Sequence, residues 1–443
     1  MIPFLAKTNR FHLLVAVCWQ FSMFFATQMI FSIFSSYIPR WRCSDSQSAS
    51  FGRNCTEFNF CPAPNHIQFE DNHFQSAALE FNWVCGPKAY LVALYAQLQF
   101  FGVLVGTLLF GSLSDYFGRK PIAIFVLAAG ISMMVLSGLA PTVKGIARLF
   151  LTVVCYYFPY WRHASFMSAI GTLPALLLVI FALPESPTWL HSKDKLQQMR
   201  ESERKIARIA NLKYEEIQHE PIMEKQPLLQ LLKDNTLLKR ILVLWIMWFV
   251  ASLSSYTNDL NSNSIVGNLF LNQLLFAIFL MLIPFDLFNF SRRNLHQYSQ
   301  LVVIVCFLTL TVFVLNNEHG TPLLIVNLFG CAFIEYTWDA CYLCAIESMP
   351  TNMRATSLGS CSLIARIGAV LAPTLAFMNT IWAPSAYLAV AVLGTISFLV
   401  SYFWLIETRG INLDSVKLHE EHLEVDKGKI QNGNAEEQTK MLQ

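Results

Sequence analysis

Long apolar runs, separated by three polar regions, set the pattern of the chain. A helix needs ~20 apolar residues to cross a bilayer, and ten runs approach or exceed that length. They cover residues 11–38, 89–111, 121–140, 164–183, 239–257, 266–288, 299–315, 322–346, 356–378 and 383–405. The pattern predicts an all-α polytopic membrane protein.

A weaker run, 145–161, does not fit as a span of its own. Lys144 and Arg148 lie near its start. Loops on the cytoplasmic side carry an excess of Lys and Arg. The basic pair Arg119-Lys120 and the basic stretch 184–238 share that side when 145–161 does not cross. We therefore predict that it stays out of the span count or follows a partly re-entrant path, and that both termini are cytoplasmic.

These runs divide the chain into two predicted bundles. Residues 1–183 form an incomplete N-terminal bundle that includes an outer loop at 39–88. A basic cytoplasmic linker, 184–238, leads to a six-helix C-terminal bundle at 239–408. The tail, 409–443, is polar, and we expect it to be partly disordered.

The linker contains an amphipathic pattern. Met199, Ile206, Ile209 and Leu212 recur at helical spacing, with charged residues between them. One interpretation is a helix that lies on the inner leaflet. The other is a solvated cytoplasmic helix that joins the two bundles. The sequence favours the two equally.

Composition supports the membrane assignment and excludes several functions. Charged residues make up 14% of the chain, against roughly a quarter in soluble domains. The formal net charge is +2, which gives no reason to expect a nucleic-acid partner. The histidines are scattered, without the spacing of a metal site or an acid–base pair. We therefore expect no metal, no cofactor and no enzymatic activity.

The outer loop holds a separate group of cysteines. They are Cys43, Cys55, Cys61 and Cys85. Four cysteines in one polar loop indicate two disulfides in an oxidising compartment, with three possible pairings. The sequon Asn54-Cys55-Thr56 makes Asn54 a candidate glycosylation site. Both features favour an extracellular loop and hence the plasma membrane.

The turn between the second and third runs carries the sharpest motif, Gly111-Ser-Leu-Ser-Asp115-Tyr-Phe-Gly118-Arg119-Lys120. Gly118 permits a tight turn, and the two basic residues hold it in the cytoplasm. Asp115 at the helix end can accept backbone N–H bonds from another helix or pair with a base. A contact of this kind can hold one conformation and break in another, so we interpret the motif as a gating loop.

This turn resembles the G-x-x-x-D-x-x-G-R-K signature of the major facilitator superfamily. The stretch 184–190, Pro-Glu-Ser-Pro-Thr-Trp-Leu, resembles its P-E-S-P-R-W-L motif, with Thr188 where Arg is usual. Residues 347–354, Arg366-Ile-Gly368 and the Glu-Thr-Arg-Gly of 407–410 are similar to the organic cation/anion/carnitine transporter family in particular. The long first outer loop separates the chain from the sugar porters, which share P-E-S-P.

The chain departs from that family in one place. The resemblance implies two bundles of six helices, yet Phe150 runs directly into Leu151 where most of the fourth and fifth helices are expected. The chain therefore looks like a shortened member, with a major-facilitator-like fold of about 10–11 hydrophobic helices instead of twelve. The second-half copy of the turn is also altered, with Ser291 where Gly is expected.

The resemblance also implies where substrate binds. Transporters of this fold bind near the midplane between the halves, and Arg366 lies about ten residues into its run. In the resembled family this position tends to be Arg in anion- and carnitine-type members and Asp in cation-type members. Glu335 and Asp339 share one helix face and can either contact substrate or neutralise Arg366. Trp248 and Trp338 are candidates for stacking on a cationic or flat substrate.

The implied activity is alternating-access transport of a small organic ion: an anion, a carnitine-like zwitterion or a cation. The alternative is a non-transporting form, either a truncated isoform or a degenerate paralogue that keeps the fold. The expected partners are the small organic ion and the lipid bilayer.

Overall fold

The structure is a computed structural model that places most of the chain. It describes residues 9–25, 28–43, 51–52, 55, 61, 67–70, 73–137, 146–214, 216, 233–262, 269–282, 291–316, 318 and 320–408. Helices dominate this part of the chain, as the sequence predicts. The terms outer and cytoplasmic below refer to the orientation predicted from the basic residues.

The first half contains seven α-helices before the linker and one small sheet, within the described residues. They are α1 (Arg10–Phe25), α2 (Gln28–Ser35), β1 (Trp41–Cys43), β2 (Ile67–Phe69), α3 (Ala77–Glu80), α4 (Leu91–Phe117), α5 (Arg119–Ser137), α6 (Ile146–Tyr157) and α7 (Trp161–Phe181). The strands pair antiparallel, with Arg42 opposite Gln68. The linker then forms α8 (Pro187–Ser192) and α9 (Leu196–Ala210).

The second half is a bundle of long helices. They are α10 (Asn235–Asn261), α11 (Leu269–Leu282), α12 (Arg292–Leu315), α13 (Thr321–Glu347), α14 (Thr351–Met378) and α15 (Ser385–Trp404). Its core is formed mainly by α10, α12, α13 and α14, and α10 packs extensively on α14. The described part of this half therefore contains six α-helices.

Seven helices of the described chain are long and apolar enough to cross a bilayer. They are Gly86–Phe117, Trp161–Phe181, Asn235–Asn261, Arg292–Leu315, Thr321–Glu347, Met353–Met378 and Ser385–Trp404. The other three predicted runs, 11–38, 121–140 and 266–288, contain residues outside the described part of the chain.

Helix α6 lies within the run 145–161, which the sequence predicts not to cross the bilayer. It has 12 residues, which at 1.5 Å per residue is about 18 Å, well short of a ~30 Å hydrocarbon core. A Cβ atom on Gly171 would lie 2.9 Å from Cζ of Phe150. Phe150 therefore packs near the middle of α7. The partly re-entrant path stays a prediction, because the residues just before α6 lie outside the described part of the chain.

The outer loop is docked on the bundle. Glu80 accepts a hydrogen bond from Arg162 at 2.7 Å, and this bond holds the pKa of Glu80 below its ordinary value. Phe74 of the loop packs edge-on against Phe34 of α2, with 5.8 Å between ring centroids. Phe74 also lies 6.4 Å from Phe270 of α11. The loop therefore contacts both halves of the molecule at their outer ends.

The structure selects one of the three possible disulfide pairings. Cys43 bonds to Cys61 and Cys55 bonds to Cys85. The other seven cysteines are free and mostly buried, as expected of small apolar side chains in membrane helices. Asn54 lies outside the described residues, and its glycosylation stays a prediction.

We predict that the loop faces the cell exterior. Cys85→Ser should leave Cys55 as a free thiol that a membrane-impermeant maleimide labels on intact cells, whereas the parent chain should stay unlabelled. Labelling that requires permeabilised cells would reverse the predicted orientation. In parallel, glycosidase treatment should increase the gel mobility of the parent and leave Asn54→Gln unchanged.

Candidate functional site

The two halves meet at their outer ends through a small set of residues that we call the outer gate. It consists of Gln97 and Phe100 on α4, Tyr256 on α10, and Ala369 and Thr374 on α14. Phe100 and Tyr256 lie with ring centroids 4.7 Å apart. The side chain of Gln97 donates a hydrogen bond to the Thr374 hydroxyl, and Phe100 packs against Ala369. These contacts close the outer side of the interface.

Arg366 lies on α14, just inward of the outer gate along the helix. Its side chain is half-buried, and its Nε is buried with no hydrogen-bond partner in the described part of the chain. Arg366 takes part in none of the ion pairs found among the described residues. Glu335 is half-buried and Asp339 is exposed on α13. In this conformation neither acid forms an ion pair with Arg366, so its guanidinium can still bind an anion.

The backbone near Arg366 is fixed by an unusually close helix contact. A Cβ atom on Gly368 would lie 2.7 Å from the carbonyl oxygen of Phe249 and 3.3 Å from the amide nitrogen of Leu253. Small residues let membrane helices approach this closely. Gly368 therefore sets the position of α14 against α10, and Arg366 with it.

The two predicted tryptophans lie together in the C-terminal core. Trp248 and Trp338 are both buried and pack edge-to-face at 5.5 Å, and Trp248 donates a hydrogen bond to the Cys341 carbonyl at 3.2 Å. Tyr342 lies 4.5 Å from Trp248 and is 47% exposed. Tyr342 is therefore the accessible aromatic side chain of this cluster, and the two buried tryptophans pack against it.

A carboxylate caps the helix that follows the gating loop. Glu185 accepts hydrogen bonds from the backbone N–H of Lys120, with both carboxylate oxygens at 3.1 Å. Gly118 has φ of +114°, and a Cβ there would lie 2.8 Å from a Glu185 oxygen. The Asp115 carbonyl accepts a bond from Trp189 Nε1 at 3.1 Å. Glu185 therefore caps the start of α5 with its carboxylate; the contact predicted for the Asp115 side chain stays a prediction.

The second half repeats this arrangement despite its altered sequence. Glu407 accepts the backbone N–H of Arg292 at 3.1 Å and a bond from the Ser291 hydroxyl. Arg292 in turn pairs with Glu347 at 3.1 Å, and Thr408 donates to Glu347 at 2.7 Å. Glu185, which follows α7, caps α5, and Glu407, which follows α15, caps α12. In both cases the negative charge at the start of the helix also complements the helix dipole.

We call these two arrangements the cytoplasmic latches. Both join residues of one half, whereas the outer gate joins residues of different halves. The remaining members of the predicted gating loop are peripheral: Arg119 is exposed, and a Cβ on Gly111 would meet no atom within 4 Å. Sequence reasoning missed Glu185 and Glu407 as latch residues, although each follows a membrane run in a matching motif.

Comparison with known proteins agrees with this architecture. Residues 146–418 match the family model described as sugar (and other) transporter. An uncharacterized protein of Caenorhabditis elegans is 33% identical over 488 residues, covering 92% of this chain and 94% of that protein. Solute carrier family 22 member 15 of Xenopus tropicalis is 26% identical, covering 81% of this chain and 78% of that protein.

A Drosophila melanogaster organic cation transporter-like protein is 26% identical over 449 residues, covering 83% of this chain and 77% of that protein. Among solved structures, the inward-open conformation of the xylose transporter XylE from E. coli superposes with a TM-score of 0.57. That match covers 92% of this chain and 99% of the xylose transporter at 13% identity, so it supports the fold. The matched families are membrane transporters rather than enzymes. The chain belongs to the sugar (and other) transporter family.

Proposed function

We propose that the protein carries small organic ions across the membrane by alternating access and that Arg366 recognises a carboxylate of the substrate. The observation that carries the proposal is the buried, unpartnered Nε of Arg366 beside a closed outer gate. The relatives named as organic cation transporters support an organic ion as the substrate class.

A charge buried within a membrane protein carries a free-energy cost. An Arg at the middle of a membrane helix costs ~2.5–3.5 kcal/mol on insertion scales. A guanidinium presents a planar fork that matches a carboxylate through two parallel hydrogen bonds. A substrate carboxylate would therefore offset much of that cost. The nearby acids Glu335 and Asp339 favour a zwitterion, whose cationic group they can attract, with Tyr342 as a stacking surface.

The contacts within each half differ in position from the contacts between the halves. The cytoplasmic latches stiffen each half internally, whereas the outer gate holds the halves together. Rocking the halves apart on the outer side breaks the contacts of Gln97 and Phe100 and leaves both latches intact. Substrate bound at Arg366 would then be exposed to the outer side, which is the alternation that this fold uses.

A charge-selectivity experiment tests the role of Arg366. Uptake of an organic anion, a zwitterion and an organic cation should be compared in Arg366→Ala, Asp339→Ala and the double variant. Arg366→Ala should lower anion and zwitterion uptake by about tenfold or more, since a charged hydrogen bond is worth roughly 1.5–3 kcal/mol, and spare the cation. If either single change lowers surface expression and all uptake while the double variant recovers, Arg366 is half of a structural pair instead.

A second candidate is that this shortened form keeps the fold without transporting. The alignments with the Caenorhabditis and Drosophila relatives span 488 and 449 residues, each longer than the 443 residues of this chain. Those relatives therefore contain internal residues that this chain lacks, and we infer that the gap lies at Phe150–Leu151. Inserting the corresponding segment of the Caenorhabditis relative there should leave uptake similar if the short form transports. Uptake that appears with the insert and is absent without it would favour the second candidate.

A further inference from the structure

Helix α9 of the linker has a basic surface that transport does not use. Between Lys193 and Lys213 the chain has seven Lys or Arg and three Asp or Glu. Glu203 is already engaged, by Arg200 at 3.2 Å and by the Tyr214 hydroxyl at 2.9 Å. The excess charge is therefore positive. We call its exposed or half-exposed members the cytoplasmic basic face: Lys193, Lys195, Arg204, Lys205 and Arg208.

The apolar side of α9 is turned toward the protein. Met199 is buried against Trp189 and Leu190, and the Ser202 hydroxyl donates a 2.6 Å hydrogen bond to the Glu185 carbonyl. Helix α9 also packs on α1. The helix therefore does not use Met199 to insert into lipid, and its basic side is left facing outward.

This basic side borders the inner surface of the bilayer. Phe181, the last residue of the span α7, is 74% exposed and marks the lipid-facing end of that helix. Tyr116, at the end of α4, is 72% exposed, and Lys193 Nζ lies 5.7 Å from the centre of its ring. Aromatic residues at span ends lie at the level of the lipid headgroups. Lys193 is therefore at headgroup depth.

A second base, Lys120 at the start of α5, lies near Lys205 of the cytoplasmic basic face. Lys205 lies close enough to Lys120 for their charges to repel each other. Glu185, the acid that partly offsets this repulsion, is bound to the backbone at the start of α5. An anion placed between α5 and α9 would be attracted by both lysines at once.

We propose that the cytoplasmic basic face binds the headgroup of an anionic phospholipid of the inner leaflet. Each Lys or Arg near an anionic leaflet strengthens the attraction by about fivefold. The bound headgroup would hold α9 against Glu185 and so stabilise the first cytoplasmic latch. If it does so, the linker helix contacts the membrane through its basic side, which is the first of the two interpretations that the sequence allows.

The test uses the full chain in lipid nanodiscs and reads its unfolding temperature. Replacing a fifth of the phosphatidylcholine with phosphatidylserine should raise that temperature, and high salt should remove the gain. Lys205→Gln with Arg208→Gln should lose most of the gain. The matched control, Lys233→Gln with Lys239→Gln, removes two exposed cytoplasmic charges at the start of the other bundle and should keep it.

Three outcomes would overturn the proposal. The first is no gain with phosphatidylserine, or an equal gain in both double variants. The second is that Lys205→Gln with Arg208→Gln already unfolds below the parent in pure phosphatidylcholine, which would assign the effect to lost packing. The third is that inorganic phosphate or inositol hexakisphosphate, added to phosphatidylcholine discs, gives the same gain, since the ligand would then be a soluble anion.

Discussion

Joining Gln97→Cys to Thr374→Cys with a short bifunctional thiosulfonate should lower uptake by about tenfold or more, because an outer gate that cannot open blocks the cycle. The two side chains are in hydrogen-bond contact across the halves. A reagent that bridges about 5 Å suits them better than a direct disulfide, which needs Cα atoms within about 7 Å. Reduction should restore uptake.

The controls separate locking from chemical damage. Each single cysteine variant should react with the reagent and keep most of its uptake, because a single modification leaves the halves free to move. If the linked double variant transports as well as its reduced form, the outer gate does not open during transport, and the proposed alternation is wrong.

Gly368→Ala should destabilise the protein by about 1–3 kcal/mol, the usual range for overpacking a core. The added Cβ would meet the backbone oxygen of Phe249 at 2.7 Å. Backbone cannot move aside as a flexible side chain can, so α14 must shift away from α10. Because Arg366 is two residues away, the shift should also lower uptake of carboxylate substrates.

The same helix offers a matched control for this substitution. A Cβ on Gly359 would meet no atom within 4 Å, so Gly359→Ala should unfold near the parental temperature. Unfolding temperatures in detergent and surface expression give the comparison. Equal values for the two variants would show that the α10–α14 contact at Gly368 is not as close as the structure has it.

The long spans were readable from the sequence because lipid imposes a simple rule on length. The apolar runs 239–257 and 322–346 lie within the helices Asn235–Asn261 and Thr321–Glu347. In the structure these helices extend beyond the apolar runs into polar residues at their ends, and the side chain of Asp234 caps the start of α10. That 145–161 does not span was inferred from charge placement, and it stays a prediction.

The side-chain partners were not readable, because membrane helices are apolar on most faces. Hydropathy does not distinguish Trp248 in the core from Tyr342 on an open surface. The disulfide pairing depends on how the loop folds, and spacing left three choices open. The role of Glu185 as the cap on α5 was also not readable, because the acid that caps a helix can come from a distant part of the chain.

The most direct test of the proposed function is counterflow in proteoliposomes that contain this chain and no other transporter. Vesicles loaded with an unlabelled carnitine-like zwitterion should accumulate the labelled compound transiently and saturably, and Arg366→Ala should remove most of that accumulation. Accumulation no greater than in empty liposomes, for an anion, a zwitterion and a cation alike, with protein that still unfolds in one cooperative transition, would contradict the proposal that this chain transports organic ions.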